Sequence, residues 1–172
     1  MLRTISFSFN PFPTAPGSVP PCPASINTFI EPPGNVPPPE DEEELNKLNK
    51  GVLDNITGEF GVLEVINSGS CFEIPKETLN YIKKIVDEKK IKLLFFESHW
   101  CYRNRLDEMR EFFNIPIVFK IGVETFDFDF RNNFLNKNAR FRDPREVAEK
   151  FQSVCLMVGI KGQTREMIKR DI

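Results

Sequence analysis

From residue 60 onward the chain alternates between short apolar β-rich runs and amphipathic helical segments, at about 25–30 residues per unit. That alternation constrains the fold more than any other feature. Phe60–Ile66, Ile91–Phe96, Pro116–Ile121 and Ser153–Val158 read as strands, and Thr4–Phe9 upstream as a first one. Between them, Pro75–Lys90, Arg103–Phe113, Asp127–Lys137, Asp143–Phe151 and Thr164–Arg170 read as helices. In Pro75–Lys90, Leu79, Ile82, Ile85 and Val86 share one face. Asp143 and Pro144 are an N-cap and a first-turn proline. Asp127–Lys137 is supported by Phe126, Phe130 and Phe134 at every fourth position, although its FDFDF stretch also fits a strand. About five strands linked by crossover helices make an α/β fold with a parallel sheet. Its strands are expected to be apolar and covered by helices.

Eleven of the 14 prolines lie between Pro11 and Pro39. Each removes a donor and fixes φ, so that stretch holds neither a helix nor a central strand. The expected organisation is residues 1–39 as a first strand and proline-rich loop, and 40–172 as a β/α core. The core opens with an acidic run at 40–44 that starts a helix. With 172 residues the chain makes one domain, too short for a complete eight-unit barrel. A net charge of −2 argues against a protein that lives on the DNA backbone. No apolar run is long enough for a membrane span, and the N-terminus lacks the features of a cleaved signal. Four cysteines without a CxxC pair fit a reducing, cytoplasmic setting.

In parallel β/α folds ligands bind beyond the C-terminal ends of the strands. The loop after the second strand holds Asn67, Ser68, Gly69, Ser70 and Cys71, small residues that leave backbone donors open. After the third come Glu97, Ser98, His99, Trp100 and Cys101, with the chain's single His and single Trp. After the fourth, Glu124 stands where a carboxylate can accept from two hydroxyls of a ribose. After the fifth, Gly159 and Gly162 precede a helix start. Each loop also has an ordinary structural reading as a turn or a wet surface. No Ser-His-Asp set, HExxH or dinucleotide GxGxxG occurs.

Four phrases in order resemble one family. IGVET at 121–125 with RNNFLNKN at 131–138, VINSGSCFEIP at 65–75, FFESHW at 95–100 and VCLMVGIKGQT at 154–164 resemble successive units of radical S-adenosylmethionine (SAM) enzymes. The nearest look is to small queuine-lyase-type enzymes that act on 7-deazaguanine bases. The resemblance covers about residues 60–172 and implies a partial (βα)6-type barrel. It implies SAM across the strand ends, with Asn67, Ser68, Gly69 and Ser70 toward the methionine amino group. Glu124 would take the ribose, and Gly159 and Gly162 would flank the adenine. Glu97 and His99 would face a small substrate such as a 7-deazaguanine base.

The family holds a [4Fe–4S] cluster on a CxxxCxxC motif after the first strand. Here the matching places are Ala15, Val19 and Cys22, so Cys22 is the one thiolate retained. The chain also ends after its fifth unit. The resemblance therefore leaves two readings open. One is a radical SAM enzyme of the lyase type, served by an electron-donor protein. The other is a cluster-free pseudoenzyme or fragment that binds a nucleoside or a partner protein.

Overall fold

The computed structural model describes residues 4–7, 42–67 and 69–172. Among the described residues there are five strands: β1 (Thr4–Phe7), β2 (Val62–Asn67), β3 (Leu93–Glu97), β4 (Ile117–Glu124) and β5 (Ser153–Leu156). The helices are α1 (Glu42–Leu53), α2 (Lys76–Glu88), α3 (Leu106–Phe113), α4 (Pro144–Ala148) and α5 (Arg165–Asp171). The sheet runs in sequence order, β1-β2-β3-β4-β5, and every pairing is parallel. Each new strand joins the sheet beside the one before it. The result is a partial barrel of the radical SAM type, without the order reversal of a doubly wound sheet. The proline-rich loop, Ser68 and Cys22 lie outside the described residues, as does the expected domain boundary at 39/40.

The central strands β3 and β4 are buried on one face only. On β4, Ile117, Phe119, Ile121 and Val123 are buried, and the residues between them are not. With Leu63, Val65, Leu94 and Phe96 they meet Ile82, Ile85 and Val86 of α2 and Leu106, Met109 and Phe113 of α3 in one core. This corrects the expectation of strands apolar throughout. The opposite face carries Glu64, Phe95, Glu97, Lys120 and Glu124, on the inside of the partial barrel.

The segment expected as a helix over Asp127–Lys137 is helical only over 128–134, and its π-helical turn, Phe130–Phe134, is closed by Leu135 N–H donating to Phe130 O at 2.9 Å. Asn136 and Asn138 then enter the left-handed region at φ of 51° and 50°, where asparagine is tolerated. The cause is Arg131. It is fully buried, and its guanidinium donates to the carbonyls of Thr125, Ala139 and Phe141, so the chain curls around it. Asp143 caps α4 as expected, in a capping box with Glu146. The helix stops at Ala148, short of Phe151.

Candidate functional site at the strand ends

The parallel register brings the ends of β2 to β5 side by side. At the end of β2, Asn67 is 2% exposed. Its Nδ2 donates to Ser70 O at 2.9 Å, but its Oδ1 is buried and has no donor among the described residues. Buried acceptors are rarely left unsatisfied. The loop around it is stiff. A Cβ on Gly69 would lie 2.0 Å from Glu73 Oε2, so a larger residue there displaces that carboxylate. Glu73 in turn accepts from Ser70 N–H and from the Tyr102 hydroxyl. The Ser70 and Ser98 hydroxyls meet at 3.0 Å and tie the β2 loop to the β3 loop.

At the end of β4 the ladder slips between Gly122 and Glu124, opposite Cys155 and Leu156. The bulge places Glu124 at φ 63°, a left-handed conformation uncommon outside glycine. Such strain persists only where the surroundings over-determine it, and it gathers at functional positions. Lys137 Nζ donates to Glu124 Oε1 at 2.5 Å, and the two side chains are 23% and 16% exposed. Gly122 makes room for this pair, since a Cβ there would stand 2.7 Å from Glu124 Oε1 and 2.9 Å from Lys137 Nζ.

Between these loops lies Glu97. It pairs in register with Lys120, and no hydrogen bond to its carboxylate is found among the described residues. Burial raises its pKa above the ordinary carboxylate value. Lys120 and Lys137 oppose that rise, and the carboxylates of Glu64 and Glu124 add to it. Lys120 itself donates to Glu64 across β3, which holds its ammonium charged. The inner face is therefore a mixed field of three carboxylates and two ammonium groups, with Cys155 beside them. Burial and then Glu97 keep that thiol protonated.

His99 does not point freely at this space. Its Nε2 meets Lys137 O at 3.0 Å, and its Nδ1 meets both the backbone N–H and the Sγ of Cys101 at 3.2 Å. Gly159 and Gly162 sit at φ 87° and 90°, and Gln163 closes their loop by accepting from Gly159 N–H and donating to Met157 O. Gly162 packs on the stacked rings of Phe130 and Phe134.

Glu64, Lys120, Lys137 and Cys155 join the site without having been singled out from the sequence. Glu64 in VLEVI and Lys120 in PIVFKI were visible signals, each a charge inside an apolar strand. Alternation puts both on the inner face.

The inner face presents carboxylates and ammonium groups that suit a polar ligand. A metal site is another matter. Among the described residues no group of three His, Cys, Asp or Glu side chains could hold a metal ion. Cys71 is fully buried and its thiol is pushed up to about 12 by that burial, so it does not offer a thiolate. Of the three places that match the cluster motif, Ala15 and Val19 carry no donor atom.

No protein-family model matches the chain. Its structure is similar to that of a queuine lyase from Clostridium spiroforme bound to SAM and queuine, with a TM-score of 0.74 and 54% sequence identity. That similarity covers 76% of this chain and 57% of the other. A second similarity, to an uncharacterized protein of Methanocaldococcus jannaschii, runs at 30% identity over 81 residues. It covers 44% of this chain and 22% of that protein. The chain thus spans less than two thirds of either relative. The resemblance to the radical SAM superfamily, nearest to queuine-lyase-type enzymes, is upheld.

Proposed function

We propose that this chain binds SAM and a 7-deazaguanine-type base such as queuine across the ends of β2 to β5. The observation that carries the reading is the 54% identity to a queuine lyase bound to both compounds. The site geometry fits SAM in two respects. Asn67 Oδ1 is a buried acceptor awaiting an N–H, as the methionine ammonium would supply. Glu124 is a strained, half-buried carboxylate suited to the ribose hydroxyls. Ser68, Gly69 and Ser70 complete the methionine side, and Gly159 and Gly162 the adenine side. Glu97 is the base-binding group in this reading, because a carboxylate matches the adjacent N–H donors of a guanine-like edge. His99 is a positioning residue that fixes the loop after β3.

A [4Fe–4S] cluster would supply the electron that opens SAM in an active family member. The motif positions of this chain do not fit one. Cys22 is the single thiolate where three are needed, and Cys71 is too buried to help. That mismatch favours the cluster-free form of the family, a binding protein or pseudoenzyme that recognises the nucleoside and the base. An electron-donor protein has no role in that form. The core of this reading is 40–172, in the reducing cytoplasm. No helix among the described residues is long and apolar enough to cross a membrane.

Queuine titrated calorimetrically into the SAM-loaded chain tests the base-binding assignment. The substitution Glu97→Gln is expected to weaken binding about 10- to 100-fold, the worth of a charge-assisted hydrogen bond. The same substitution is expected to stabilise the free protein. Burial raises the Glu97 carboxyl in the fold, so its ionised form costs stability at neutral pH. The gain in melting temperature is present above the raised carboxyl range and fades as pH falls through the ordinary value of 4.5. Its size is on the order of 0.5–1 kcal/mol, discounted for partial exposure. Unchanged queuine affinity in this variant removes Glu97 from the site.

A further inference from the structure

The ionic groups of the inner face are unevenly matched. Lys120 is given to Glu64 and Lys137 to Glu124. Glu97 takes no ion pair or hydrogen bond on its carboxylate among the described residues. It is half-buried on the inner side of β3, while its neighbour Phe96 points into the core. Its charge acts on the Lys120 ammonium of β4 and on the Cys155 thiol of β5, which sets it amid the strand ends. A carboxylate held partly out of water without a counter-ion gains more from an incoming cation than a surface one does, because the attraction is less screened. The strand order then says which cation. β3 lies between β2 and β4. SAM placed with its methionine end at the β2 loop and its ribose at Glu124 of β4 has its sulfonium, the atom joining those two halves, over the end of β3. The last residue of β3 is Glu97.

We propose that Glu97 is the specificity-determining residue for the sulfonium, through which the site prefers SAM to S-adenosylhomocysteine. The inference rests on the strand-end SAM reading. The two compounds share the adenine, the ribose and the amino-acid end. They differ by one methyl group and the positive charge that comes with it. Contacts to Asn67, Glu124 and the glycine loop are therefore common to both and do not tell them apart. Lys120 and Lys137 would repel the cation, but each is offset by its own carboxylate. Glu97 is left to set the sign of the field at the sulfur. It acts there by charge alone, since a sulfonium has no hydrogen to donate. Its oxygens stay available to the N–H edge of the base.

The test is calorimetric titration of SAM and of S-adenosylhomocysteine, each alone, into the full chain without iron and without base. SAM is expected to bind about tenfold tighter. Glu97→Gln keeps the shape of the side chain and removes its charge. It is expected to cut the preference to about twofold or less, by weakening SAM and leaving S-adenosylhomocysteine unchanged. Glu97→Asp keeps the charge and is expected to hold a preference between those of the other two proteins. Melting curves confirm that each variant is folded. Equal affinity for the two compounds in the unmodified chain overturns the proposal and leaves SAM binding itself standing. A preference that survives unchanged in folded Glu97→Gln also overturns it, as does a Glu97→Asp preference no higher than that of Glu97→Gln. A folded chain that binds neither compound removes the strand-end SAM reading, and the proposal with it.

Discussion

The double substitution Ala15→Cys with Val19→Cys is expected to turn a colourless protein into a brown one. After anaerobic reconstitution with iron and sulfide, the unmodified chain should hold no stable cubane, and the variant should hold about four irons per chain. The sequence reason is spacing. Positions 15, 19 and 22 reproduce the CxxxCxxC interval, and Cys22 already stands at the third. The chemical reason is that alanine and valine have no lone pair, and ligand set and geometry are demanding for a cluster. Iron per chain and visible absorption check it. A soluble, folded variant that stays colourless would refute the register of the first unit. A brown unmodified chain would show that other ligands complete the site and would restore the enzyme reading.

Arg131→Ala is expected to be the most destabilising single change in the core. The guanidinium is fully buried and donates to three backbone carbonyls, with Nε to Ala139 O and Nη1 to Thr125 O at 2.9 Å each and Nη2 to Phe141 O. It lies 3.7 Å from the centroid of the Phe141 ring. Burial pulls its pKa down to about 10, still far enough above neutrality to keep the charge. Truncation orphans three carbonyls and opens a cavity, at a cost of about 3–5 kcal/mol. Arg131→Lys should recover only part, because an ammonium cannot span the three acceptors as a planar fork does. Urea unfolding of the three proteins gives the numbers. A loss below about 1 kcal/mol for Arg131→Ala would mean that the π-helical turn is held by something else.

Most of the architecture was legible in the sequence. Each expected strand lies within about three residues of its observed ends, and the parallel order follows from the crossover lengths. The exceptions have physical causes. The repeat of Phe126, Phe130 and Phe134 suggested a helix through Lys137. One buried arginine overrides that periodicity by drawing carbonyls from 125, 139 and 141 onto itself, a tertiary effect no local pattern encodes. The loop residues of the candidate site were found because strand ends can be read from sequence. The ionic floor of Glu64 and Lys120 was not, since their pairing across β3 depends on a strand register that the sequence does not display. The dual engagement of His99 was also invisible. It depends on Lys137 returning across 38 residues to offer a carbonyl.

Calorimetric titration of SAM into the unmodified chain, without iron, tests the central claim most directly, with Glu124→Gln measured beside it. Saturable one-to-one binding is expected, weakened about 10-fold or more in the variant as the charged acceptor for the ribose is lost. A folded chain that shows no binding, or one whose affinity ignores Glu124→Gln, would contradict the strand-end SAM site.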